Sequence, residues 1–113
     1  MRVLIVEDEY LIASGAAALL EEAGCEIVGM AGSVTKALRL IADVGCDAAV
    51  LDANLDGVSS EPVAVALRQQ GVPFLVLSGY ATTQRPGALA DAPYLAKPCK
   101  AGDLVASVLA LGK

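Results

Sequence analysis

Asp47-Ala48-Ala49-Val50-Leu51-Asp52-Ala53-Asn54 places four small or apolar residues directly ahead of a carboxylate, and turn-prone residues follow at once. A short apolar run bounded by turn signals suits a strand buried on both faces. Asp52 then stands at the carboxyl end of a central strand, where open α/β sheets bind their ligands. Taken alone, the same residues also describe an ordinary strand end, with Asp52 opening an Asx-turn toward Asn54. The flanking sequence has to choose between these readings.

Upstream, Val3-Leu4-Ile5-Val6 reads as a first buried strand, ending in Glu7-Asp8-Glu9. Across residues 10–23 apolar side chains recur at helical spacing (Leu11, Ile12, Ala16, Leu19, Leu20), with Gly24 at the stop. Residues 26–31 form a second strand, and Ser33 caps a helix carrying Ala37, Leu38, Ile41 and Ala42, with Gly45 beyond its end. Downstream, residues 55–60 read as a polar loop, and Glu61-Pro62 opens a third helix that runs to Gly71. Residues 73–77 give a fourth strand, followed by Ser78-Gly79-Tyr80. In residues 81–92, Pro86 and Gly87 sit mid-stretch, so a fourth helix there is short or irregular. Residues 93–96 make a short fifth strand ahead of Lys97-Pro98, and residues 103–111 a closing amphipathic helix (Leu104, Val105, Val108, Leu109). This alternation predicts a five-stranded parallel sheet covered by helices on both faces, with right-handed crossovers.

The whole chain, residues 1–113, reads as one domain, since 113 residues suffice for one core and are too few for two. It is 56% hydrophobic, yet no apolar run approaches the roughly 18 residues of a membrane span. The early acids Glu7-Asp8-Glu9 and the lack of a cleavage-site pattern argue against a signal peptide. A cytoplasmic protein with no membrane partner is the expectation. A net charge of −5 without a basic run argues against nucleic acid as a direct partner. Cys25, Cys46 and Cys99 form no Cys-x-x-Cys pair, which indicates reduced, mostly buried thiols rather than disulfides or a zinc site. The chain has no histidine, so Ser-His-Asp and Cys-His catalysis, histidine metal ligation and a phosphohistidine carrier role are excluded.

Alternation brings every strand's carboxyl end to one edge of the sheet. That edge collects Glu7 and Asp8, then Asp52, Ser78 and Lys97. Two carboxylates about 5 Å apart repel by roughly 3 kcal/mol at an effective dielectric near 20, so such a cluster calls for a cation. Oxygen donors without Cys or His favour a hard ion, and Mg²⁺ commonly takes one or two carboxylates with water and phosphate. Lys97 and Ser78 add an ammonium and a hydroxyl, the donors a phosphoryl group uses. Each residue singly has a plainer explanation: an acidic first turn complementing a helix dipole, a turn serine, a solvated lysine. Their convergence favours a site for metal and phosphate together.

Val6-Glu7-Asp8-Glu9 after the first strand, Asp52 ending the third, Ser78 ending the fourth and Lys97-Pro98 ending the fifth resemble the receiver domain of bacterial two-component response regulators. The resemblance covers essentially the whole chain. It implies a flavodoxin-like, doubly wound sheet of order 2-1-3-4-5. It implies Asp52 as phosphoacceptor, Mg²⁺ held by Asp8, Glu7, Asp52 and the backbone carbonyl of Asn54, and Ser78 and Lys97 on the phosphoryl oxygens. Tyr94, three residues before Lys97, matches the switch aromatic, and the Lys97-Pro98 bond is expected to be cis. Asp56-Gly57 replaces the common loop proline, and Cys99 stands where an aromatic often follows Lys-Pro. Ser78-Gly79-Tyr80, Gly71-Val72-Pro73-Phe74 and the short span from Ser78 to Lys97 resemble stand-alone receivers with a degenerate fourth helix.

The function so implied is a single-domain phosphoacceptor switch and not an enzyme acting on other molecules. A sensor histidine kinase or histidine phosphotransfer protein donates to Asp52, and an output protein is bound noncovalently. The principal alternative is a pseudo-receiver, an interaction module that is never phosphorylated. An Asp-nucleophile phosphatase would want a second carboxylate where Asn54 stands. A flavin site would want a phosphate-cradling loop where the chain has three acids. Tyr80, two residues past Ser78, is placed either to shield a phosphoryl group from water or to pack the degenerate helix.

Overall fold

The apolar runs become strands of one parallel sheet in the computed structural model, which describes residues 1–79, 87–89, 92–97 and 99–112. In chain order the elements are β1 (Arg2–Val6), α1 (Tyr10–Glu22), β2 (Glu26–Ala31), α2 (Val34–Asp43), β3 (Ala48–Asp52), β4 (Asn54–Leu55), β5 (Val58–Ser59), α3 (Glu61–Gln69), β6 (Phe74–Ser78), β7 (Tyr94–Ala96) and α4 (Ala101–Leu111). Among the described residues between β6 and β7, Gly87–Leu89 form a 3-10 turn. The sheet order is β2-β1-β3-β6-β7. With the β4–β5 pair set aside, this is the doubly wound order 2-1-3-4-5 that the resemblance implies.

Side-chain alternation along the central strands divides the core. Leu4, Val6, Ala49, Leu51 and Val76 face α2 and α3, meeting Ile41, Val63 and Leu67. Val3, Ile5, Val50, Leu75 and Leu77 face the other way, meeting Ala16 and Leu20 of α1 and Leu104 and Val108 of α4. Every residue of β3 and β6 is buried, as expected of strands covered on both sides. Cys25 is buried and Cys46 and Cys99 are half-buried, all three as free thiols. Among the described residues no helix is long and apolar enough to cross a membrane.

Two local expectations need correction. The stretch expected as a polar loop folds back as a two-residue antiparallel pair, Asn54 opposite Ser59 and Leu55 opposite Val58. Asp56 and Gly57 both take positive φ, 53° and 86°, the conformation a tight hairpin turn demands. The Asn54 side-chain oxygen accepts the Gly57 N–H at 2.6 Å, and Leu55 drops into the core. The last helix begins at Ala101, two residues ahead of the expected Asp103, with Lys100 in extended backbone at its cap. In the irregular stretch expected at residues 81–92, the described part holds the Gly87–Leu89 turn, whose Leu89 is fully buried.

Register levels the strand ends: Asp52 pairs with Leu77 and Ser78 with Ala96, while the Glu7 N–H donates to the Ala31 carbonyl at 2.9 Å. The side chains of that edge are therefore held at one height by backbone ladders.

Two helix caps should respond oppositely to the same substitution. Ser33 Oγ accepts the Lys36 N–H at 3.2 Å, whereas Ser60 Oγ, at the head of α3, is buried and has no partner among the described residues. Ser33→Ala is expected to lower stability by about 1 kcal/mol. Ser60→Ala is expected to leave stability unchanged or raise it, because an unsatisfied buried hydroxyl costs about 1–3 kcal/mol. Urea midpoints of the two variants against the parent check the contrast.

Candidate functional site

Glu7, directly after β1, and Asp52, the last residue of β3, are buried at 5% and 6% exposure. Lys97, directly after β7, reaches back between them, its Nζ donating to Glu7 Oε1 at 2.8 Å and to Asp52 Oδ2 at 2.8 Å. The other oxygen of each carboxylate accepts a backbone N–H from two residues on. Glu9 donates to Glu7 Oε2 at 3.2 Å, and Asn54 donates to Asp52 Oδ1 at 3.2 Å. Asp52 thus closes the Asx-turn of the plainer reading and stands in the cluster as well. One oxygen serves each role, so the two readings do not compete.

Asp8 is exposed at the rim. One oxygen each of Glu7, Asp8 and Asp52 can be chosen so that all three lie within 4.8 Å of one another. Three convergent carboxylates with no sulfur or imidazole are a donor set for a hard divalent cation, and this acidic group could hold one. The Asn54 N–H bond to Asp52 Oδ1 places the Asn54 backbone beside the cluster.

Burial raises the Glu7 carboxyl from its ordinary 4.5 to about 7, with Lys97 opposing that rise and Asp52 adding to it. For Lys97, burial pulls the ammonium down, but its hydrogen bonds to Asp52 and Glu7 outweigh burial and hold it above its ordinary value. The lysine therefore stays charged and partly neutralises two carboxylates. The cation that such a cluster requires is in part supplied by the chain itself.

Ser78 ends β6 with its side chain buried, and its carbonyl accepts the Lys97 N–H at 2.9 Å. The hydroxyl-bearing and ammonium-bearing strand ends are thus tied to one another. Tyr94 opens β7 opposite Val76 and is half-buried. Tyr80 and Pro98 lie outside the described residues, and with them the expected shielding aromatic and the expected cis bond. The structure brings Glu7, Asp8, Asp52 and Lys97 into one cluster. The direct grip of Lys97 on both carboxylates was not foreseen, since its expected partners were phosphoryl oxygens.

Comparison with known proteins points the same way. The sequence model of the response regulator receiver domain matches residues 3–109. The solution structure of SdrG from Sphingomonas melonis Fr1 is similar at 40% identity and a TM-score of 0.83, covering 98% of this chain and 94% of that one. The receiver domain of the PhyR response regulator from Erythrobacter litoralis is similar at 27% identity and a TM-score of 0.84, covering 97% and 88%. The transcriptional regulatory protein PdtaR of Mycobacterium tuberculosis is 33% identical over an alignment 113 positions long that covers 95% of this chain and 54% of that protein. The chain thus spans about half the length of this curated relative.

The raised Glu7 carboxyl makes stability pH-dependent. Its folded value of about 7 exceeds the ordinary 4.5, so the folded form holds a proton that the unfolded form releases between those values. The stabilisation from that proton is complete below pH 4.5 and is lost as pH rises through 7. At about 1.4 kcal/mol per unit this comes to roughly 3 kcal/mol. In chelator-containing buffer, Glu7→Gln should gain stability over the parent as pH rises from 5 to 8. Chemical unfolding across that range checks it, and a constant parent–variant difference would contradict the assignment.

Proposed function

The chain belongs to the response regulator receiver family, and on that premise we propose that Asp52 accepts a phosphoryl group as a signalling switch. The donor is the phosphohistidine of a sensor histidine kinase or a histidine phosphotransfer protein. An Asp52 oxygen attacks phosphorus in line, the P–N bond breaks, and the imidazole of the donor leaves. Positioning and charge stabilisation supply most of the acceleration in such transfers. The observation that carries the proposal is the double contact of Lys97 with Asp52 and Glu7, which sets an ammonium directly against the buried acceptor carboxylate.

Glu7, Asp8, Asp52 and the Asn54 carbonyl are the groups that would hold Mg²⁺. The chemistry it supplies when bound is positive charge facing the phosphoryl oxygens. Lys97 then moves from its carboxylates to a phosphoryl oxygen, and the Ser78 hydroxyl donates to another. With the new group carrying nearly two negative charges, both donors have reason to close on it. Movement of Ser78 leaves room beside β7, and Tyr94 becomes more buried as it fills that room.

The receiver is read as a single domain of residues 1–113 in the cytoplasm, signalling by noncovalent contact with an output protein rather than by catalysis on other molecules. Against a pseudo-receiver stands the complete set of acceptor, acidic, hydroxyl and ammonium groups at one sheet edge.

Incubated with a small phosphodonor and Mg²⁺, the parent should gain one phosphoryl mass and Asp52→Asn none. Asp8→Ala should lose the rise in Tm that Mg²⁺ gives the parent, since a ligand that binds only the folded form stabilises it by mass action. Phosphorylation of Asp52→Asn, or an unchanged Mg²⁺ effect in Asp8→Ala, would contradict the respective role.

A further inference from the structure

Between the acceptor strand and α3 the chain folds over on itself through bonds that run outward from Asp52. Asp52 Oδ1 accepts the Asn54 N–H at 3.2 Å, and Asn54 Oδ1 in turn accepts the Gly57 N–H at 2.6 Å. The base of the hairpin is fixed on both sides of Ala53. Its N–H donates to the Leu77 carbonyl at 2.8 Å, and its carbonyl accepts the Ser60 N–H at 3.2 Å. Leu55, buried, pins the hairpin to the core shared with α2 and α3.

The bond from Ser60 to Ala53 fixes which way the Asn54 backbone faces. Asn54 stands opposite Ser59, and Leu55 opposite Val58. In an antiparallel ladder, pairs that exchange hydrogen bonds alternate with pairs that do not. The Ser60–Ala53 bond flanks the Asn54–Ser59 pair, which makes that pair one of the second kind. The N–H and C=O of Asn54 then both point away from Ser59, to the side on which the N–H meets Asp52. The main-chain carbonyl of Asn54 thus opens on the carboxylate side of the hairpin, while its side-chain oxygen is committed to the turn.

Two residues hold this arrangement. Asp56 and Gly57 have φ of 53° and 86°, the two positive values that a tight two-residue hairpin loop requires. A Cβ on Gly57 would meet no atom within 4 Å, so glycine serves there through its backbone freedom alone. Asn54 closes the same turn from the strand side by accepting the Gly57 N–H. A ladder of two pairs is marginal by itself, so the turn decides where the Asn54 carbonyl stands.

We propose that the β4–β5 hairpin is a positioning device for the metal site: the Asn54 side chain and the Gly57 backbone aim the Asn54 carbonyl at the cluster of Glu7, Asp8 and Asp52, and so set its affinity for Mg²⁺. Both act as positioning residues, and neither side chain touches the ion. The inference rests on the reading of that cluster as a site for a divalent cation.

Mg²⁺ would be titrated calorimetrically into the parent, Asn54→Ala, Gly57→Val and Gly57→Asn. Val108→Ala, a truncation in the core on the opposite face of the sheet, serves as the comparison for stability lost elsewhere. Asn54→Ala and Gly57→Val should bind Mg²⁺ about three- to tenfold more weakly, the range covered by one lost hydrogen bond or one strained turn residue. Asparagine tolerates positive φ, so Gly57→Asn should return close to the parent affinity. Val108→Ala should melt lower and keep the parent affinity. Weakened binding in Asn54→Ala with parent-like binding in Gly57→Val would put the carboxamide itself on the ion and overturn the role of the hairpin. Parent-like affinity in both variants would overturn that role and leave the metal site standing. A parent that takes up no Mg²⁺ would overturn the metal-site reading and the positioning role with it.

Discussion

Lys97 holds two buried carboxylates that would otherwise repel each other, and much of the sheet's last edge depends on that contact. Glu7 and Asp52 come from neighbouring strands, and each is too buried to be screened by water. Lys97 lies at 2.8 Å from both. Removing Lys97 would leave both carboxylates without their cation in a poorly solvated place, which is strongly destabilising. The contact also secures β7, which has only three residues and pairs with β6 alone within the sheet order. Its ladder to β6 is extended by one bond from the Lys97 N–H to the Ser78 carbonyl. The ammonium then ties the end of β7 across to β3 and β1.

This arrangement lets one position serve both the local turn and the charged cluster. Asp52 uses one oxygen to turn the chain into the β4–β5 hairpin and the other to receive Lys97. The raised Glu7 carboxyl marks the tension in the cluster, since burial and Asp52 push against what Lys97 relieves. A site in that condition is ready to exchange its internal cation for other partners. Such readiness is what a phosphoacceptor reading asks of it, and it comes at the expense of stability.

Much of the fold was readable because each central strand is a continuous apolar run and each carries its polar residue at the carboxyl end. Val3 to Val6, Ala48 to Leu51 and Phe74 to Leu77 could hardly be anything else between their turn signals. The β4–β5 hairpin was missed because two-residue strands carry no periodicity. Asp56-Gly57 was its only signal, and it was read as a departure from a loop pattern. The residues of the cluster were readable from strand-end position, but the reach of Lys97 onto Glu7 and Asp52 was not. That contact depends on the register of a three-residue edge strand, which only tertiary packing sets. The bonds of Glu61 and Arg68 to Ala88 were unreadable for a different reason: charges on an exposed helix face look like solvation, and this shared partner is a backbone unit twenty or more residues away.

The central claim is that the buried carboxylate held by Lys97 is the one that takes the phosphoryl group. Borohydride reduction of the phosphorylated parent, followed by peptide mass analysis, tests it most directly, because an aspartyl phosphate is converted to homoserine where it stands. Homoserine at position 52 alone is the result predicted. Homoserine at position 8, or phosphorylated protein that yields no homoserine at all, would contradict the account.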